Sequence, residues 1–204
     1  MLPHKDKVIL HATITGYGGT LIEPNVMTWK ESLKQIDCLR SKGFPSDKIV
    51  IRVDPIIPTK DGIAVAEQVI HAAYKTGMRR FRISVIDMYP HARERFVKAG
   101  ISLPYGNYFT ASDTQFKVVD ECIKRLKETY SNISIECCAE PKLQQPQKTG
   151  CISNHDLILL GLPAENSADS GYQRNHCLCL NCKAELLNNK HQCPNKCLYC
   201  YWKD

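Results

Sequence analysis

A chain of 204 residues has room for one domain and a small appendage, and its 43% hydrophobic content suffices for a real core. The formal charge of +6 suits a nucleic-acid or phosphate-bearing partner without requiring one, because no basic run is dense enough to decide it. No stretch of about 18 apolar residues occurs and the first residues form no apolar signal core, so export and membrane insertion are not expected and a cytoplasmic setting is.

The rest of the chain alternates strand and helix patterns. Residues 7–15 (KVILHATIT) read as a buried strand, ended by Gly16, Tyr17, Gly18 and Gly19. A helix over 25–41 carries Met27, Leu33, Ile36 and Leu39 on its apolar side. Residues 48–54 form the second strand, broken by Pro55 and Pro58, and a helix capped by Asp61 runs to residue 75. The third strand covers 79–87, a short helix 92–99, and a long helix capped by Ser112 or Asp113 reaches residue 130. The fourth strand, 132–139, leads into a Gln/Pro/Lys loop over 141–150, a brief helix over 154–160 and a polar linker over 162–175.

Such alternation predicts a mostly parallel sheet covered by helices. Along each strand one parity is apolar and the other polar. His11, Thr13 and Thr15 share a face, as do Arg52 with Asp54, Arg82 with Ser84, and Ser134 with Glu136 and Cys138. Polar residues that gather toward the C-terminal strand ends favour a partial parallel (β/α) TIM-like barrel over a doubly wound sheet. The expected division is a barrel over residues 1–161 and a linker with a cysteine-rich tail over 162–204. The bland alternative for the polar faces is a set of self-satisfied ion pairs such as Arg52 with Glu136.

Eleven cysteines without a signal peptide argue for metal in a reducing compartment, and six of them fall between Cys177 and Cys200. Cys38 and Cys122 sit among apolar helix positions and read as small core residues. Cys193, Cys197 and Cys200 form a C-x3-C-x2-C array with Tyr199 before the last thiol. Three thiolates can hold three irons of a 4Fe–4S cubane and leave the fourth open to a chelating molecule. A second group, Cys177, Cys179 and Cys182 with His176 and His191, is open to three readings: another cluster, a zinc ion, or a thiol-rich brace. Cys138 reads as core, and Cys151 as a thiol that could reach the tail. The rival class is a binding module, because Cys179-x2-Cys182 and Cys197-x2-Cys200 lie 14 residues apart, close to zinc-ribbon spacing.

The array resembles that of the radical S-adenosylmethionine (SAM) enzymes, in the C-x-Y-C-Y form of spore photoproduct lyase, although it stands at the far end of the chain. Over nearly its whole length the sequence resembles an uncharacterised bacterial and phage family of radical-SAM-like proteins with a TIM-like barrel and a C-terminal C-x-C…C-P-x-x-C-x-Y-C-Y tail. The matching pieces are ITGYGG with Ile22, Glu23 and Pro24, then IRVDPI, ISVIDMY, CAE, GCIS and QRNHCLC in that order. The resemblance implies a 4Fe–4S cluster and SAM as cofactors. Candidates to hold the amino, carboxylate and ribose groups of SAM are Thr13, Thr15, Arg52, Asp54, Ser84, Glu136 and Glu140, with Tyr199 beside the cluster. It names no substrate. The chain departs from the pattern in starting later, in the additional Cys182 and in Trp202. The late start suggests open sheet edges covered by a partner or a second copy, or a truncated member without turnover.

Overall fold

A computed structural model of the chain describes residues 2–164, 175–180 and 193–202. Five strands, β1 (Leu10–Thr13), β2 (Ile49–Ile56), β3 (Arg80–Val85), β4 (Ser134–Cys137) and β5 (Gln147–Lys148), lie side by side in chain order, each parallel to its neighbours. The helices are α1 (Trp29–Ser41), α2 (Lys60–Lys75), α3 (Pro90–Lys98), α4 (Asp113–Thr129) and α5 (Asn154–Leu159). A doubly wound sheet reverses its strand order at a switch point. The order here has no reversal, so the crossovers wind one way around the sheet.

Register turns the two parities into rows. Ala12, Ile51, Phe81 and Ile135 pair across four strands, and one step further Thr13, Arg52, Arg82 and Glu136 do the same. The apolar parity packs on the helices: Ile49, Ile51, Val53, Phe81, Ile83, Ile135 and Cys137 are buried with Ala66, Val69, Ile70 and Ala73 of α2 and Val119 and Ile123 of α4.

Several boundaries differ from the sequence expectation. α1 starts at Trp29, four residues late, because Thr28 and Glu31 form a reciprocal capping box. β2 does not stop at Asp54 but runs through Pro55 to Ile56, with a register shift toward β3 where Pro55 has no N–H to donate. Thr59, not Asp61, caps α2, its hydroxyl accepting from Gly62 N at 3.1 Å. The loop expected over 141–150 contains β5. Cys38 is exposed, since α1 buries the face of Leu33 and Ile36, whereas Cys122 is buried as expected.

Candidate functional site at the strand ends

The row of Thr13, Arg52, Arg82 and Glu136 carries charge into the fold, and the charges around it sort into two groups. The deeper group surrounds Glu136, only 3% exposed. Arg80 donates to it from Nε at 2.7 Å and Nη2 at 3.2 Å, and Arg82 donates from Nη2. Arg80 also donates from Nη1 to Asp156 at 2.6 Å, and Arg82 from Nη1 to Gly150 O at 2.7 Å. Burial alone would raise the Glu136 carboxyl; hydrogen bonds from Arg80 and Arg82 outweigh it and hold it below the usual carboxylate range. His11 lies beside this group and is lowered to about 4 by burial and by the cations Arg82 and Arg52. The alternative pairing of Arg52 with Glu136 is not formed; Arg52 pairs with Asp54.

The second group opens into a cavity of about 550 Å³ at the C-terminal strand ends. Thr13, Arg52, Asp54, Ser84, Glu140 and Tyr199 line it, which brings together six of the eight expected cofactor-binding residues. Asp54 accepts from Arg52 Nη2 and from Ser84 Oγ, so one carboxylate fixes both neighbours. Arg52 Nε is a buried donor with no hydrogen-bond partner among the described residues. Glu140 accepts from Val85 N at 2.9 Å. Asp87, Tyr89 and Tyr201, which sequence reasoning left out, line it too, together with Pro55, Val85 and Ile86. Thr15 and Glu136 are not among the lining residues. Another hollow, of about 480 Å³, lies between α2 and α4 on the outer face, away from this chemistry.

The tail closes over the same end. Asn25 donates to Pro194 O at 2.6 Å and Leu198 N to Ile22 O at 2.9 Å. The Tyr199 hydroxyl donates to Glu23, a 2%-exposed carboxylate that also accepts from Thr15 Oγ1 at 2.6 Å. From α3, His91 Nε2 lies 3.1 Å from Cys200 O, and Arg95 donates to Cys200 O and Trp202 O at 2.9 Å. Cys200 N bonds Cys197 O at 3.1 Å, so the last two thiols share a turn. Burial, the Glu23 charge and the neighbouring Cys200 and Cys193 push the Cys197 thiol up to about 11.

A second set of thiols joins the end of β4 to the earlier part of the tail. Cys138, directly after β4, has its Sγ 3.9 Å from Cys177 Sγ and 3.8 Å from Cys179 Sγ. The three sulfurs lie within 4.8 Å of one another, an arrangement that could hold a metal ion. Cys138 was expected to be core; it is buried, but against thiols. Of the second group named from sequence, Cys177 and Cys179 take part, while Cys182 and His191 lie outside the described residues. The residues that sequence reasoning missed had faint signals. Arg80 shares the parity of Arg82, Glu23 stands in a quoted motif, and Asp156 is the N3 partner of a capping box with Ser153.

These features define a parallel α/β protein, wound in one direction, with a cavity at the strand ends and a thiol-rich tail across it. The chain belongs to the family described as Domain of unknown function (DUF1848), whose model matches residues 2–202. No curated protein sequence matches it. Among solved structures it is similar to a mutant of the Thermobaculum terrenum O-GlcNAc hydrolase, at 14% identity and a TM-score of 0.37, over 66% of this chain and 35% of that one. The chain thus spans about a third of that protein's length. None of these likenesses bears on kinship with the radical-SAM enzymes. Among the described residues, no helix is long and apolar enough to cross a membrane.

Proposed function

We propose that the chain is a radical-SAM-type iron–sulfur protein whose turn of Cys193, Cys197 and Cys200 holds a 4Fe–4S cluster with one iron open to SAM. The observation that carries this reading is the fastening of that turn at the rim of a cavity whose charges complement the cofactor. SAM carries an ammonium, a sulfonium and one carboxylate. The cavity offers Asp54, Asp87 and Glu140 against the single guanidinium of Arg52.

When bound, the reduced cluster would supply the electron that cleaves the sulfonium, yielding a 5′-deoxyadenosyl radical that takes hydrogen from substrate. Arg52 binds the carboxylate through its fork and the spare Nε donor. Asp54 is a positioning residue that holds Arg52 and Ser84 in place. Glu140 and Asp87 accept from the ammonium and the ribose hydroxyls. Tyr89 and Tyr201 offer ring faces to the adenine and keep water from it. Thr15 acts only through Glu23 and Tyr199, and Glu136 only through its arginines.

On this reading the sheet is part of a (β/α) barrel over residues 1–161, and residues 162–204 are the linker and cofactor-bearing tail. The outer strands β1 and β5 are edges for a partner or a second copy to cover, and the cluster suits a reducing cytoplasmic setting. The substrate class is unassigned. The zinc-ribbon module has less support, because the described sulfur neighbours of Cys179 are Cys138 and Cys177 in place of the Cys197 turn.

Anaerobic reconstitution with iron and sulfide, followed by dithionite and SAM, tests the proposal. Brown protein that releases 5′-deoxyadenosine supports it, and replacing Cys193, Cys197 and Cys200 with Ala should abolish both colour and release. Protein that takes up no iron, or that carries a cluster yet neither binds nor cleaves SAM, rejects it.

A further inference from the structure

We propose that Cys138, Cys151, Cys177 and Cys179 bind a single zinc ion at a closed structural site, separate from the three-thiol turn and independent of the reading above. The first argument is distance. Zinc held tetrahedrally by sulfurs at about 2.3 Å sets those sulfurs about 3.8 Å apart. Cys138 Sγ stands 3.9 Å from Cys177 Sγ and 3.8 Å from Cys179 Sγ. A disulfide would bring two of them to about 2.0 Å. A cubane cluster seats each thiolate on its own iron and spreads them farther apart.

The fourth ligand comes from the segment after β5. Cys151 stands next to the three-sulfur group, and a turn of its side chain would bring a fourth thiolate onto the ion. Cys151 also presents its N–H to Cys179 Sγ at 3.1 Å, while Leu178 N points at Cys138 Sγ at 3.5 Å. A neutral thiol is a weak acceptor, so two main-chain donors aimed at sulfur suit thiolates. Metal-bound thiolates need such outer partners to fix their orientation.

Charge and backbone agree. Four thiolates on Zn²⁺ leave a net charge of −2, and the buried Arg82 guanidinium donates to Gly150 O, one residue before Cys151. The bland reading is four reduced thiols packed for their apolar surface. It does not explain why the two segments that carry three of them meet backbone to backbone. A Cβ at Gly150 would stand 2.3 Å from Leu178 O and 2.6 Å from Cys179 Cα, so only glycine lets residues 177–179 come so close. Leu180 N then bonds Ile152 O at 2.9 Å and completes the seam. The ion would pin the start of the tail to the sheet.

The test is zinc content and coordination in the full chain. Protein purified with zinc and without iron should hold one tightly bound zinc per chain, and the triple Cys193/Cys197/Cys200→Ser variant should keep it. Cys138→Ser and Cys151→Ser should each weaken zinc binding more than about 100-fold, since loss of an outer partner alone costs 10- to 100-fold. If a serine variant fails to fold, X-ray absorption on the unmutated protein decides the matter: four sulfurs at about 2.3 Å are expected. Zinc retained at full affinity in a Cys138→Ser/Cys151→Ser double variant overturns the site. So do nitrogen or oxygen neighbours in place of sulfur, or an iron–sulfur cluster on these four thiols. Failure of the tail to take up iron would leave the zinc result untouched, so the two proposals fail separately.

Discussion

Tyr199 and Glu23, 176 positions apart in the chain, meet through a hydrogen bond from phenol to buried carboxylate. Burial, reinforced by the Glu23 charge, pushes the Tyr199 hydroxyl up, so the phenol stays a donor across the working pH range. Tyr199→Phe should lower unfolding free energy by about 1–3 kcal/mol, the scale of a hydrogen bond to a charged group. Thr15→Val should cost about 1 kcal/mol by removing the second donor. Denaturant titration measures both. Limited proteolysis should show the tail cut faster in Tyr199→Phe, and unchanged cutting would mean that the contact does not hold the tail.

Arg52→Lys keeps the charge but loses the planar fork and the free Nε donor. SAM binding to reconstituted protein, followed by calorimetry, should weaken by roughly 1–3 kcal/mol with little change in folding. Equal affinity in a variant that retains its cluster would leave Arg52 a structural residue tied to Asp54.

Glu136 should behave in the opposite way. Glu136→Gln leaves Arg80 and Arg82 buried around a neutral amide and should destabilise the fold by about 3–5 kcal/mol. SAM affinity of the protein that still folds should be unchanged, because Glu136 lies outside the cavity lining. A thermal melt within a degree of the parent would contradict the network's role.

Acid should weaken the fold in two stages. His11 faces Arg82, Arg52 and Arg80 as well as Asp156, and stays neutral in the folded chain down to about 4, whereas the unfolded chain takes up its proton near pH 6.5. Its contribution is therefore complete above about pH 6.5 and is lost as pH falls toward 4, a change of about 1–3 kcal/mol after allowance for solvent screening. Glu136 and Asp156, both held below the usual carboxylate range by arginine, add a second loss that sets in as the unfolded carboxyls take up protons, near pH 4.5 and 3.8. His11→Gln should flatten the first stage alone in unfolding titrations run from pH 7 to 4.

Strand alternation made the polar face legible, because a period of two assigns Thr13, Arg52, Arg82 and Glu136 to one side whatever the tertiary fold. It did not reveal which of them would meet solvent. Arg80 turns to the same side as Arg82, and together they draw Glu136 into the interior, while Asp54 and Ser84 stand nearer the strand ends and reach the cavity. The thiols of Cys193, Cys197 and Cys200 were legible because they lie within one short stretch. The convergence of Cys138 with Cys177 and Cys179 was not, since their separations of 39 and 41 positions are bridged only by the packing of one segment on another. Helix starts moved for a local reason: Thr28 and Thr59 outcompeted the caps suggested by composition alone.

The seating of Pro194, Leu198 and Tyr199 on Asn25, Ile22 and Glu23 also sets an order of events during translation. The two halves of this contact are 169 to 176 positions apart, so at ~5–20 residues per second the ribosome takes roughly 10–35 s to make the second after the first. Through that interval a nascent chain can assemble its sheet, yet Glu23 has only Thr15 as a side-chain donor among the described residues and the cavity has no rim. A cofactor offered to the growing chain would find the floor of its site without the wall that retains it, so loading belongs to the period after the tail has been made.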